Sequence, residues 1–196
     1  MRPSSPSPSI AAFGEPSSRV MSRPPPSASS VTVKGFYLTA LTRELASQGH
    51  YLDGPRFREF SDYPLEVAHQ LVLECAQRLY PDERRSSALR RVGWIIYPTL
   101  LSTMIGRVIF GSLGDDVPAV LRAAGRGFEV SISEGRYEAV RITSQAAEVR
   151  VRNFHLFPDT FLVGIFEGLL ARYGHAGAKV TPTLLSHCDV DLTMSW

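Results

Sequence analysis

The chain has 196 residues, 44% hydrophobic and 20% charged, with a formal net charge of +2. Those proportions fit one globular domain of ordinary size, and no apolar run approaches the ~18 residues that span a bilayer. Arg2, Arg19 and Arg23 against Glu15 account for the whole charge excess, so the rest of the chain is balanced and no nucleic-acid footprint is expected.

Residues 1–30 hold half of the 14 prolines and many serines. Such a segment buries too little apolar surface to offset its ordering entropy, and a disordered tail is expected. "MRPSSPSPSIAAFGEPSS" lacks the continuous apolar stretch of a signal peptide. The expected location is therefore the cytoplasm, with Cys75 and Cys188 as free thiols. Two distant cysteines without Cys-x-x-Cys spacing argue against structural zinc, and no metal site is expected.

A single domain, 31–196, follows. "KGFYLTALTRELASQG" sets Phe36, Leu38, Leu41 and Leu45 on one helical stripe, with Gly49 suited to its end. A polar connection with a turn at Asp53–Gly54 leads to "PLEVAHQLVLECAQRLY", a second amphipathic helix with Ser61 or Asp62 as its cap. Pro81 ends it. Asp82 and Glu83 suit the start of a third helix through "RRSSALRRVGWII". Pro98 either kinks that helix or starts a fourth, "TLLSTMIGRVIFGSL". Gly114 and Asp115–Asp116 close the fourth and open a short fifth, "VPAVLRAAGRG".

After Gly127 the period becomes two. "FEVSISEG", "RYEAVRITS" and "AEVRVRNF" read as a three-stranded antiparallel meander. "FLVGIFEGLLARYG" then returns to helical spacing, with Asp159 as its cap. "AKVTPTLL" reads as an edge strand because of Pro182. "CDVDLTMSW" alternates Cys188, Val190, Leu192, Met194 and Trp196 against polar residues. The fold class is α+β, with N-terminal helices packed on an antiparallel sheet of three strands, a helix and two strands. Gly164 and Gly168 lie four apart on one helix face, where each costs roughly 0.5–1 kcal/mol relative to alanine. They predict helix packing against a closely approaching neighbour, either the sheet's aromatic residues or the "TMIGRVIFG" helix with Gly106.

The segments "VKGFYLTAL", "YPLEVAHQLVLECAQRLYP", "ALRRVGWIIYPTLLSTMIGR", "GIFEGLLARYG" and "CDVDLTMSW" resemble a family of paralogues of about 200 residues abundant in myxobacteria. The likeness covers 31–196 and brings no established activity with it. More distantly, the element order resembles a fold group containing haem nitric-oxide sensors, four-vinyl-reductase domains and Golgi transport-particle subunits. That resemblance implies helices on an antiparallel sheet, with an apolar ligand between the layers in several members.

Haem sensors of that group use a proximal histidine and a Tyr-x-Ser-x-Arg motif. The chain has no such motif, and His69 and His155 read as surface or satisfied residues. No cofactor is therefore expected, haem included. "FGSLG" around Ser112 lacks the first glycine of a nucleophile elbow. Arg84, Arg85, Arg90 and Arg91 read as a solvated face without interleaved aromatics, and Glu167 as a solvated or pocket-rim acid. Trp94, Tyr97, Leu101, Met104, Ile105 and Val108 form an apolar stripe, read as core or as the lining of a candidate pocket facing the sheet. The function expected is a non-enzymatic regulatory domain binding an apolar small molecule or a protein partner. The alternative is a structural interaction module, a homodimer or assembly subunit joined through an apolar patch on the first two helices.

Overall fold

The computed structural model describes residues 31–52, 56–111 and 113–196. The Pro/Ser-rich tail, the Asp53–Gly54 turn and Ser112 lie outside them. In chain order the elements are β1 (Thr32–Lys34), α1 (Gly35–Ser47), β2 (Asp62–Pro64), α2 (Leu65–Leu79), α3 (Arg85–Ser102), α4 (Met104–Phe110), α5 (Val117–Ser131), β3 (Arg136–Ile142), β4 (Ala146–Arg152), α6 (Phe161–Arg172), β5 (Lys179–Leu184) and β6 (Val190–Ser195). The architecture is α+β, as expected: helices pack on an antiparallel sheet of order β3-β4-β6-β5, and β1 and β2 form a separate two-stranded ribbon.

The sheet follows the period-two pattern. Ala147, Val149 and Val151 of β4 are buried and lie opposite Met194, Leu192 and Val190 of β6. Both are inner strands. β5, with Pro182, lies at one edge and β3 at the other. Cys75 and Cys188 are free and buried.

Several local expectations need correction. "FEVSISEG" is not a strand: α5 runs on to Ser131. Ala124, Gly127, Phe128 and Ser131 recur at helical spacing and share one cavity wall. Burial of that face overrides the alternating pattern. Ile132 leaves the helix and bridges Val33 of β1, so the expected three-stranded meander is a β3–β4 hairpin. Neither Ser61 nor Asp62 caps α2. Its N-cap is Pro64, and Asp62 instead accepts from Lys34 Nζ at 2.8 Å. Asp159 does not cap α6, whose N-cap is Thr160 without a side-chain bond. Asp116 does cap α5, accepting from the Ala119 N–H at 3.3 Å.

α3 continues through Pro98 and breaks at Thr103. The Thr103 hydroxyl donates to the Leu100 carbonyl at 2.7 Å and accepts the Gly106 N–H at 3.0 Å, capping α4. The two helices meet at a bend of 85°. Among the described residues, no single helix is long and apolar enough to cross a membrane. α3 and α4 pass that test together, by length and composition only.

Gly164 and Gly168 pack backbone to backbone against α3, not against the sheet aromatics or Gly106. A β-carbon at Gly164 would overlap the Arg90 carbonyl oxygen and lie 2.9 Å from the Trp94 nitrogen. One at Gly168 would overlap the Trp94 carbonyl oxygen and lie 3.1 Å from its α-carbon. The reciprocal gap on α3 is Gly93, where a β-carbon would lie 2.9 Å from the Ile165 nitrogen. Gly106 meets the end of α3 at Leu100 and Leu101. The helices therefore come closer than any pair carrying β-carbons could, which commits the glycines to one crossing point.

Candidate ligand cavity

Close approach of α3 and α6 at the glycines fixes the inner wall of a cavity of about 80 Å³. Phe36 and Tyr37 reach it from α1, Tyr97 and Leu100 from α3, and Ile105, Gly106, Ile109 and Phe110 from α4. Ala124, Gly127, Phe128 and Ser131 come from α5, with Ile132 just after it. Tyr137 of β3, Phe154 beyond β4, and Leu162, Ile165, Phe166 and Leu169 of α6 complete the lining. Not one of these side chains carries a formal charge.

The aromatic rings fix its shape. Tyr137 stacks on Phe166 with centroids 6.2 Å apart and an interplanar angle of 17°. Phe128 lies 5.5 Å from Phe154, and Tyr97 meets Phe110 edge-on at 6.1 Å. Polar atoms on the lining are few. The Tyr137 hydroxyl donates to the Leu121 carbonyl at 2.8 Å, and the Ser131 hydroxyl donates to the Gly127 carbonyl. The Tyr97 hydroxyl is buried and has no hydrogen-bond partner among the described residues. Burial pushes its pKa far up, and Tyr173 is near enough to reinforce that shift, yet the two hydroxyls do not meet at hydrogen-bonding distance and angle. Burial likewise raises Tyr37 and Tyr137, so these phenols are neutral at any physiological pH.

Of the six residues singled out in the sequence, Tyr97 and Ile105 line the cavity. Trp94, Met104 and Val108 are exposed, the last by 78%. Leu101 is partly buried and packs against the core without reaching the cavity wall. The stripe divides because the bend at Thr103 turns α4, leaving Ile105 and Ile109 inward and Met104 and Val108 outward. The helical spacing of Ala124, Gly127, Phe128 and Ser131 was a usable signal for the opposite wall. Phe154 and Tyr137 arrive from distant segments and had none.

Glu167 is partly buried and pairs with Arg90: the Arg90 Nε–H donates to Oε2 at 2.7 Å and Nη2 donates to Oε1. The arginine face is thus partly engaged. Arg91 pairs with Glu83 and lies 4.1 Å from the Tyr80 ring centroid, and Arg85 lies 5.7 Å from that of Phe157. A wider groove of about 770 Å³ separates α1 from α2. It is lined in part by charged side chains, among them the Arg78–Glu74 ion pair at 2.7 Å, and lacks the apolar closure of the core cavity.

The fold is that of H-NOX proteins. A mutant H-NOX protein from K. algicida with unliganded Fe(II) matches with a TM-score of 0.56 and 9% identity over 83% of this chain and 95% of that one. The Fe(II)NO form of an H-NOX protein from S. oneidensis matches at 0.54 and 14% identity, covering 83% and 98%. A structure described as probing heme distortion in the H-NOX family matches at 0.51 and 13%, covering 83% and 94%. The expectation that no cofactor is involved is corrected by this likeness. The fold is one in which solved proteins carry haem iron, and the missing Tyr-x-Ser-x-Arg motif is not enough to set haem aside. The residues of this chain do not, however, fit a histidine-ligated haem as they stand. None of its five histidines lines the cavity. His69 lies 4.4 Å from Phe157, His155 lies 5.6 Å from His187, His175 lies 6.1 Å from Trp196, and His50 borders the α1–α2 groove. A volume of 80 Å³ is also well below the roughly 300–1,000 Å³ of pockets for drug-sized ligands. No curated protein matches the chain. A model of a protein family of unknown function, DUF2378, matches residues 28–196, and the chain belongs to that family.

Proposed function

We propose that this chain is a non-enzymatic, cytoplasmic small-molecule-sensing domain that holds its ligand in the cavity between α4, α5 and α6. The observation that carries this reading is the uncharged, aromatic lining of the cavity at the centre of an H-NOX-type fold. Apolar cavities of about 150 Å³ stay dry and admit benzene or xenon. The cavity here is about half that size, so an apolar guest of xenon size suits it, and haem is tested beside it.

The mechanism follows from α4. Its seven residues present Ile105 and Ile109 to the cavity and Met104 and Val108 to solvent. A ligand that prefers a displaced α4 shifts the population toward that state and alters the outer surface. A partner that reads the ligand state would meet α4. The expected patch on α1 and α2 finds no support: among the described residues, no large exposed hydrophobic side chain lies in either helix. Homodimerisation is thus the weaker reading, and concentration-dependent sedimentation would revive it.

Native mass spectrometry of freshly purified protein, with absorption spectra during hemin addition, tests the proposal. A reproducible apolar adduct supports it, whereas a Soret band that saturates at one equivalent replaces the compact guest with haem. Protein that is repeatedly empty and takes up neither hemin nor a small apolar probe overturns it.

A further inference from the structure

At one end of the sheet, two short loops are fastened together. The Phe154 N–H donates to the Cys188 carbonyl at 2.8 Å, and the Asn153 N–H donates to Asp189 Oδ1 at 3.0 Å. The Ser186 hydroxyl accepts the N–H groups of Cys188 and Asp189 at 3.2 and 3.1 Å, which shapes the β5–β6 turn. These bonds bring together three side chains remote in sequence. A ring nitrogen of His155, one of His187 and the sulfur of Cys188 all lie within 4.8 Å of one another. Asp189 Oδ1 is 3.8 Å from the same sulfur.

We infer that His155, His187 and Cys188 form a zinc site that clips the loop after β4 to the β5–β6 turn, with a water in the fourth position. The chemistry matches: two imidazoles and a thiolate suit a borderline-soft, tetrahedral cation. Zinc–ligand bonds of about 2.0–2.3 Å put ligand atoms about 3.5 Å apart, so the three side chains need to close by only about 1 Å. On binding, the Cys188 S–H bond breaks, its proton leaves to solvent and a Zn–S bond forms. Accessibility is adequate because His187 is exposed, while Cys188 is only 8% exposed and held in place. The wide separation of Cys75 from Cys188 hides this arrangement in the sequence, because the partners of Cys188 are histidines from a different loop. Phe154, next to His155, lines the core cavity, so the site and the cavity share one segment.

Cobalt titration of the full chain, tag-free, chelator-treated and kept reduced, tests the site. One equivalent of Co²⁺ is expected to give a thiolate-to-cobalt charge-transfer band with tetrahedral visible bands, displaced by one equivalent of Zn²⁺. Cys188→Ser should abolish the charge-transfer band, and His187→Ala should weaken binding at least tenfold. His187 is exposed, so its replacement leaves the fold intact, which circular dichroism verifies. Cys75→Ser should bind as the unaltered chain does. Absence of a charge-transfer band in the unaltered chain, its persistence in Cys188→Ser, or unchanged affinity in His187→Ala overturns the inference.

Discussion

The carbonyl oxygen of Trp94 lies against the α-carbon of Gly168, where a β-carbon would sit 3.0 Å from the Trp94 carbonyl carbon and closer still to its oxygen. Pro98, four residues on, has no N–H to give that carbonyl, so α3 turns an oxygen free of its usual helical donor toward α6. Gly164 makes the equivalent approach to Arg90, and Gly93 makes it in return.

Enlarging either α6 glycine must separate two backbones, because the atoms in the way are not the flexible ends of side chains. Gly168→Leu and Gly164→Ala are expected to destabilise the fold by at least about 1–3 kcal/mol. That corresponds to a fall of several degrees in Tm for a domain of this size. Thermal unfolding followed by circular dichroism checks it, and an unchanged Tm in Gly168→Leu would remove the packing claim.

Arg90 and Glu167 span the same crossing. Arg90 is 45% exposed and Glu167 21%, so solvent screens the pair and its coupling is expected to be at most about 1 kcal/mol. A double-mutant cycle of Arg90→Met and Glu167→Gln measures it. The outcome separates the roles: glycines set the approach, and the ion pair adds orientation.

Much of this was legible in sequence where a single element carried the signal. The glycine strip of α6, the alternation of β6 and the Asp116 cap are local patterns, and each marks a feature that the structure contains. What failed depended on a second segment. Gly93 sits in "VGWII" without a companion glycine at helical spacing, so Gly106 looked the better partner for α6. "FEVSISEG" alternates, but Phe128 and Ser131 are needed on the cavity wall, and packing there extends α5. Met104 and Val108 share an apolar stripe with Tyr97 only if α3 and α4 are one straight helix. The Thr103 cap turns them by 85°.

Tyr97 presents the one buried side-chain polar atom without a partner among the described residues. Leaving such a group unsatisfied costs about 1–3 kcal/mol. Tyr97→Phe is therefore expected to leave stability unchanged or raise Tm by a few degrees in ligand-free protein. A clear loss of stability by calorimetry would show that the hydroxyl is satisfied in solution.

Burial pushes the Cys75 thiol from an ordinary value of 9.0 up to about 12, with Glu74 and Glu44 adding to the shift. The folded state therefore keeps the proton that the unfolded state releases. The resulting stability is complete below pH 9 and is lost as pH rises from about 9 toward 12. Denaturant unfolding from pH 8 to 10.5 should show a decline that Cys75→Ser lessens. In the folded protein Cys75, 1% exposed, should resist alkylation at pH 8 and react only on unfolding.

The central claim is that the space between α4, α5 and α6 admits a small apolar guest. Its most direct test is a series of ¹H–¹⁵N NMR spectra of the chain under increasing xenon pressure, repeated for Ala124→Leu, which puts three further carbons into the wall. Saturable shifts confined to Ala124, Gly127, Ile132 and their neighbours, lost in the leucine variant, are the predicted result. Uniform, non-saturating shifts that are the same in both proteins would contradict it.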